Sequence, residues 1–156
     1  MELSRNLRVD SVARLGPAPP RLLQNDQTVA DAVELMRQHQ VGCVLITEAG
    51  KLVGIFTERD LLTRILAKRR PLTTPLKTVM TPNPVTVSPK DSVRTAIKRM
   101  QAGAYRHLPV VDEFHRPVGI LSAKRIVTYL VEHFPATVFN QPTDPKNNYP
   151  RTPEGA

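Results

Sequence analysis

The stretch Leu52-Val53-Gly54-Ile55-Phe56-Thr57-Glu58-Arg59-Asp60 returns 65 positions later as Pro117-Val118-Gly119-Ile120-Leu121-Ser122-Ala123-Lys124-Arg125. In each copy an apolar run typical of a β-strand leads through a Thr or a Ser into a polar segment. A glycine stands at the third position of both stretches and a hydroxyl side chain at the sixth. Because an internal repeat means that the same structural unit forms twice, this repeat governs the interpretation of the whole chain.

The repeat extends upstream with an offset of 64 positions, so the second copy carries one extra residue. Thr28–Met36 aligns with Ser92–Met100. Four apolar positions in each segment recur at i, i+3, i+4 and i+7, which predicts an amphipathic helix with one buried face. Thr28 and Ser92 stand where a hydroxyl N-cap is expected.

The remaining parts of each copy complete a β-α-β-β-α pattern. The β-rich runs 43–47 and 108–112 predict hairpins with the apolar stretches that follow them. Pro20–Leu23 matches Pro84–Val87 as a short leading strand, and paired apolar positions after residue 60 predict a second helix. A unit of about 55 residues buries too little surface to be stable alone. We therefore predict an α/β (α+β) fold in which two β-α-β-β-α units pack as one pseudo-twofold module.

Composition predicts where these units begin and end. We expect an N-terminal segment at 1–12, a first repeat at 13–70 and a second repeat at 77–134. The segment 71–76 contains two prolines and is predicted to be a stiff linker. Five prolines punctuate 135–156, which predicts a Pro-rich tail that is either disordered or an extended arm.

The composition of the chain excludes several classes of protein and of binding site. Apolar residues make up 40% of the sequence, enough for a core, and no apolar run approaches the roughly 18–20 residues of a membrane span. The single cysteine excludes an intrachain disulfide and a multi-cysteine zinc site. No signal sequence, nucleophile–base set or Gly-rich phosphate loop is visible. We expect a cytoplasmic protein that is not an enzyme, with no membrane association, no metal and no catalytic cofactor.

The formal charge of +8 is concentrated in one region. Residues 64–125 contain 13 of the 22 Lys and Arg residues but only three acidic residues. A basic region of this kind can bind nucleic acid, an acidic partner or a phosphorylated small molecule. Charge alone leaves the three possibilities open.

The two copies, each with Val-Gly-Ile-x-[Thr/Ser] entering its last helix, resemble a tandem pair of CBS domains. These domains are named after cystathionine β-synthase, and their pairs form regulatory nucleotide-binding modules. The resemblance covers about residues 13–134, and residues 54–60 fit the family's ligand motif, Gly-hydrophobic-x-Thr-x-x-Asp. It implies that Asp60 binds the ribose hydroxyls and that Thr57 contacts ribose or phosphate. The chemistry of the residues alone leaves a second role open for Asp60, which is to stabilise the first turn of its helix.

The second copy departs from that motif because Arg125 stands where the ribose-binding Asp is expected. A guanidinium has donors but no acceptor and cannot accept hydrogen bonds from a diol. One copy in the γ subunit of AMP-activated protein kinase has a similar replacement, and its local sequence resembles this one. That resemblance implies that Arg106, His107 and Lys124 reach the phosphates of a nucleotide held by the first copy. A solvent-facing strand position is the alternative for Arg106 and His107.

We therefore predict a non-catalytic sensor that binds AMP, ADP or ATP in the cleft between its repeats. The predicted partners are an unidentified effector protein and a second copy of the chain in a homodimer. The alternative is an interaction or nucleic-acid-binding protein that uses the basic 64–125 surface. The absence of a helix-turn-helix, zinc-finger or aromatic stacking motif argues against nucleic acid. The expected ligand contacts are Leu22, Thr57, Arg59, Asp60, Arg106, His107, Ser122 and Lys124.

Overall fold

The computed structural model describes residues 2–133, so the predicted tail at 135–156 lies outside the described residues. The helices are α1 (Glu2–Val9), α2 (Val29–His39), α3 (Glu58–Asp60, continued by the π-helical turn Leu61–Leu66), α4 (Leu76–Val79), α5 (Val93–Gly103) and α6 (Ala123–His133). A turn of 3-10 helix spans Val12–Leu15. The strands are β1 (Leu22–Gln24), β2 (Cys43–Glu48), β3 (Lys51–Thr57), β4 (Thr81–Pro82), β5 (His107–Val111) and β6 (Pro117–Ser122).

The strands form two sheets, one for each copy of the repeat. The first has the order β1-β2-β3-β4, with β1 parallel to β2 and the other pairs antiparallel. The second is the antiparallel pair β5-β6, and a single parallel bridge from Val87 to Val110 takes the place of a leading strand. We call the first sheet with α2 and α3 unit 1, and the second sheet with α5 and α6 unit 2. Both predicted hairpins are confirmed.

The predicted amphipathic helices α2 and α5 pack through the expected faces. Thr28 Oγ1 accepts from the Asp31 N–H at 3.4 Å, and Ser92 Oγ accepts from the Thr95 N–H at 3.1 Å, so both N-caps are confirmed. These bonds satisfy donors that the first turn of a helix leaves free. The buried residues on the two faces are Val29, Ala32, Met36, Val93, Ala96 and Met100.

Each unit has its own apolar core, and a third cluster joins them. Phe56 and Ile65 are fully buried in unit 1, and Leu121 is fully buried in unit 2. The third cluster combines residues of the β2-β3 hairpin, such as Leu45, with Val111 of β5. Because this cluster contains residues of both hairpins, the two units pack as one module, as predicted.

Each of two short helical segments packs into one core, but not into the core of the unit that follows it in the sequence. The Val12–Leu15 turn packs into the core of unit 2, whereas α4 packs into the core of unit 1. The motif glycines make room for the chain that follows each segment: a Cβ on Gly54 would lie 2.3 Å from Met80 Sδ, and one on Gly119 would lie 3.0 Å from Pro17 Cβ. The segments therefore straddle the predicted boundaries at 12/13 and 76/77.

Candidate functional site

The first turn of α3 is closed by reciprocal hydrogen bonds between Thr57 and Asp60. The Asp60 oxygen Oδ2 accepts from the Thr57 N–H at 2.9 Å and from the Thr57 hydroxyl at 3.1 Å. The Asp60 N–H donates to Thr57 Oγ1 at 3.3 Å. This capping box satisfies backbone donors that the helix start would otherwise leave unpaired. Asp60 therefore does stabilise its helix, and this role occupies one of its two carboxylate oxygens.

The other carboxylate oxygen of Asp60 faces Arg64, one turn further along the helix. Arg64 Nε lies 3.4 Å from Asp60 Oδ1. Arg64 Nη1 donates to the carbonyl oxygens of Val79 at 2.9 Å and of Met80 at 3.1 Å. A carboxylate offers roughly four acceptor positions, and these contacts use three of them. Among residues 2–133, no further side-chain or backbone donor contacts Oδ1.

A cavity of about 440 Å³ lies beside this turn. Its first wall is residues 57–60 of unit 1, backed by Gly42 and Ile55. Its second wall is the connecting segment 81–85, and its third is 103–107, which joins α5 to β5 in unit 2. The cavity therefore lies between the units, and its volume falls in the range of roughly 300–1,000 Å³ that is typical of small-molecule sites.

Charged groups of both signs line this cavity. Unit 1 contributes Glu58, Arg59 and Asp60, and unit 2 contributes Arg106 and His107. Burial lowers the pKa of His107 below its ordinary value, Arg106 lowers it further, and Glu58 opposes the shift. His107 is therefore mainly neutral at pH 7, and an anion bound beside it would favour uptake of a proton.

Cys43 lies in the third cluster, next to the cavity but not in its lining. Burial raises the pKa of its thiol to about 12, with a further contribution from the charge of Glu58. The thiol is therefore protonated at neutral pH, and the side chain is only 6% exposed. Cys43 is therefore a packing residue of the third cluster.

Five of the eight predicted contact residues line the cavity, namely Thr57, Arg59, Asp60, Arg106 and His107. Leu22, Ser122 and Lys124 are not among its lining residues. Leu22 lies on β1 with 44% of its surface exposed. The segment that reaches the cavity is 81–85 instead, because β4 pairs with the edge of β3 at Ile55. A ligand contact for Leu22, Ser122 or Lys124 stays a prediction.

The equivalent position in unit 2 is arranged differently. Ser122 Oγ accepts from the Arg125 N–H at 3.0 Å, much as Thr57 does from Asp60. The Arg125 side chain turns to the N-terminal segment, where Nε donates to the Leu15 carbonyl at 2.7 Å. The position that supplies an acceptor in unit 1 thus supplies a donor in unit 2, and that donor already has a partner.

The sequence interpretation missed two backbone turns that shape the cavity. Asn83 and Ala104 have φ values of 46° and 52°, in the left-handed region. The ring of Tyr105 lies over Gly103, where a Cβ would be 2.0 Å from the ring carbon Cε2, so only glycine leaves room for it. The signals were present as turn-forming residues, Pro82-Asn83-Pro84 and the glycine at the end of α5.

Two classes of feature are missing from residues 2–133. No group of three or more His, Cys, Asp or Glu side chains is placed to hold a metal ion. No helix in this part of the chain has both the length and the apolar character that a membrane crossing requires.

Comparison with protein families identifies the repeat. The model of the CBS domain family matches residues 18–67 and again residues 76–132. A CBS domain-containing protein of Bacillus subtilis is 37% identical over 97 residues, which are 62% of this chain and 69% of that protein. The chain covers much less of some other relatives, down to 15% of a meiotically up-regulated protein of Schizosaccharomyces pombe.

Solved structures show the same fold. A CBS domain protein from Pyrobaculum aerophilum complexed with AMP superposes with a TM-score of 0.71 at 26% identity, covering 79% of this chain and 99% of that one. A second CBS domain pair, complexed with 5′-methylthioadenosine and S-adenosyl-L-methionine, has a TM-score of 0.72 at 25% identity. That match covers 80% of this chain and 98% of the other.

Proposed function

The chain belongs to the CBS domain family, and we propose that it is a regulatory module that binds an adenine nucleotide in the cavity between its two units. The ligands of the two similar CBS domain pairs share an adenosine group, although only one of those structures is complexed with a nucleotide. Adenosine is therefore the first part of the proposed ligand. A phosphate is the second, and AMP, ADP and ATP are the candidates.

The observation that carries this proposal is the Asp60 carboxylate in the cavity wall, whose oxygen Oδ1 is contacted by no donor of residues 2–133 other than Arg64. A ribose hydroxyl can donate to Oδ1, beside the contact from Arg64. The second ribose hydroxyl can take the place of the Thr57 hydroxyl on Oδ2, which frees that hydroxyl to bond the ligand. Hydrogen bonds to a charged acceptor are the stronger kind, so this arrangement discriminates in favour of a vicinal diol.

Two basic residues in the third wall support a phosphate at that end of the cavity. Arg106 and His107 both line it, on the opposite unit from Asp60. An Arg side chain can bind a phosphate through two parallel hydrogen bonds, and a neutral His next to a phosphate gains a proton readily. A ligand with ribose at Asp60 and phosphate at Arg106 therefore spans both units.

The apolar part of the lining supports a planar base. Ile55, Pro82 and Val85 present hydrocarbon surface, and the Tyr105 ring lies at the end of α5. A base buried against such residues is stabilised by burial of its apolar faces and by stacking on the aromatic ring. The adenine group thus has an apolar contact surface within reach of Asp60.

The regulatory output in this proposal passes through other proteins in the cytoplasm, since the module itself would catalyse no reaction.

Two positions on each unit's last helix expose large apolar side chains at equivalent places in the repeat. They are Leu62 and Leu66 in unit 1, and Val127 and Val131 in unit 2. We propose that they pair with a second copy of the chain in a homodimer, and that an effector protein reads the liganded state.

Calorimetric titration tests the proposal directly. Protein shown by mass spectrometry to be free of small molecules is titrated with AMP, ADP, ATP and the phosphate-free 5′-methylthioadenosine. We expect at least one nucleotide to bind, more tightly than 5′-methylthioadenosine. The same nucleotide should raise the free energy of unfolding by about 2.7 kcal/mol when its concentration is a hundred times Kd. Failure of all adenosine compounds to bind would overturn the proposal.

A further inference from the structure

Arg64 joins the carboxylate of Asp60 to the backbone of the connecting segment. Its guanidinium is 3.4 Å from Asp60 Oδ1 and donates to the carbonyls of Val79 and Met80 at 2.9 and 3.1 Å. Arg64 itself is not among the residues that line the cavity. Arg64 therefore affects the cavity through the residues that it contacts and not by lining it.

Both groups that Arg64 holds determine the shape of the site. Met80 directly precedes Thr81 and Pro82, which pair with the edge of β3 and form the start of the second wall. Asp60 is in the first wall and carries the proposed ribose acceptor, Oδ1. One guanidinium thus contacts both the ribose acceptor and the backbone that leads into the opposite wall.

Unit 2 shows what the backbone contact looks like without the carboxylate. Leu15 corresponds to Val79 in the repeat, and its carbonyl accepts from Arg125 at 2.7 Å. Arg125 stands one helical turn earlier than the position of Arg64, which is Tyr129 in unit 2. Both units therefore hold this carbonyl with an arginine, and only in unit 1 does that arginine also contact an acid.

We propose that Arg64 is a positioning residue of the nucleotide site, holding Asp60 in the orientation that accepts the ribose hydroxyls. This inference rests on the proposed function. Its consequence is specific: the loss of Arg64 weakens binding mainly through the ribose hydroxyls. A ligand without those hydroxyls does not use the Asp60 acceptor and is little affected.

The test compares AMP with 2′,3′-dideoxy-AMP in calorimetric titrations of the full chain and of Arg64→Met. Methionine keeps much of the length of the side chain but loses its charge and donors. We expect Arg64→Met to weaken AMP binding about tenfold and dideoxy-AMP binding less than about twofold, the scale of one charge-assisted contact. Arg64→Lys keeps the charge and should recover part of the AMP affinity.

Arg99 provides a matched control because, like Arg64, it contacts both backbone carbonyl oxygen and a carboxylate. Arg99 Nη1 donates to the Thr86 carbonyl at 2.7 Å and to Asp91 Oδ2 at 3.1 Å. Its side chain is 41% exposed, against 42% for Arg64, and it is not in the cavity lining. Because Thr86 directly follows the 81–85 wall and Asp91 is not in the lining, Arg99→Met should leave the ratio of the AMP and dideoxy-AMP affinities unchanged.

Several outcomes would overturn the inference. Equal losses for AMP and dideoxy-AMP in Arg64→Met would show that Arg64 supports the architecture only, and wild-type AMP affinity would show that it does nothing for the site. If Arg64→Met fails to fold, Arg64→Lys is measured in its place. Equal losses of AMP and dideoxy-AMP affinity in that variant would reject the inference. A wild-type protein that binds no AMP overturns the proposed function and this inference together, whereas wild-type binding with no effect of Arg64 overturns this inference alone.

Discussion

The turns at Thr57–Asp60 and Ser122–Arg125 occupy the same place in the two units, yet they present opposite chemistry. In unit 1 the fourth residue is an acceptor paired with Arg64. In unit 2 it is an arginine whose guanidinium bonds the carbonyl of Leu15. The hydroxyl residue keeps the same capping contact in both.

The difference teaches that the fold needs the capping hydroxyl and the arginine–carbonyl contact, but not the carboxylate. Unit 2 keeps both structural contacts while it gives up the acceptor. At the position of Arg64, Tyr129 donates instead to the Asp10 carboxylate. The acid in unit 1 adds a capping contact that unit 2 lacks, and its oxygen Oδ1 is the atom that the proposed ligand would use.

The largest effects are expected from the cores, which test whether the two units unfold together. Phe56 and Leu121 occupy equivalent positions and are both fully buried. Phe56→Ala should lower the free energy of unfolding by about 3–5 kcal/mol and Leu121→Ala by about 2–5 kcal/mol. Urea denaturation should show a single shifted transition for each, since the third cluster joins the units. Two separate transitions in either variant would mean that the units are independent.

The Asp60 carboxylate is the next test, because it is the acceptor that unit 2 lacks. Asp60→Ala should weaken nucleotide binding by about 1.5–3 kcal/mol, the scale of charge-assisted hydrogen bonds. The lost capping box should also reduce stability by about 1 kcal/mol, which denaturation of the unliganded protein measures separately. Asp31→Ala removes the same kind of capping box from α2, outside the cavity, and should leave binding unchanged. Wild-type affinity in calorimetric titration of Asp60→Ala would remove Asp60 from the site.

Replacing Arg125 is expected to have a smaller effect, on the stability of unit 2 rather than on binding. Arg125→Asp leaves the Leu15 carbonyl without its donor, so stability should fall by about 1–2 kcal/mol. Lys124→Ala, at the exposed neighbouring position, should not change the stability.

Calorimetric stoichiometry of the wild-type protein should be one nucleotide per chain, because Arg125 offers no acceptor for a second ribose. Two nucleotides per chain would contradict the asymmetry between the units.

The smallest effect concerns His107, the first residue of β5, where unit 1 has Gly42. Because burial lowers the pKa of His107 in the folded chain, the unfolded chain binds more protons near pH 6. Stability should therefore fall as the pH drops through about 6.5, the ordinary His value. His107→Gln should show a shallower decrease between pH 7.5 and pH 6 in urea denaturation. Identical pH profiles would mean that His107 is as solvated in the folded state as in the unfolded one.

Much of the fold could be predicted because its signals are local. The spacing of apolar residues in Val29–His39 and Val93–Gly103 marks one face of a helix, whichever unit that face packs against. Thr28 and Ser92 cap those helices with bonds that span only three residues. The motif around Asp60 likewise lies within one turn, so its capping role and its place in the cavity were both within reach of the sequence.

The parts that escaped prediction depend on which segments meet in space. Val12–Leu15 and Leu76–Val79 are each a single turn, too short to show periodicity, and nothing local says which core they enter. The pairing of β4 with β3 brings 81–85 to the cavity, whereas Leu22 of the matching leading strand does not line it. Long-range pairing of this kind is decided by packing, which local propensity does not encode.

By itself, the sequence determined that the chain is a repeat, that each copy is a β-α-β-β-α unit, and that an acid is present in only one copy of the motif. Those properties follow from residue identity and spacing. Only the tertiary structure decided that Arg64 holds Asp60 together with the Val79 and Met80 carbonyls, and that Arg125 is engaged by Leu15 across 110 residues of chain. The physical reason is that a side-chain donor chooses its acceptor by position in space, and that position exists only after both cores have formed.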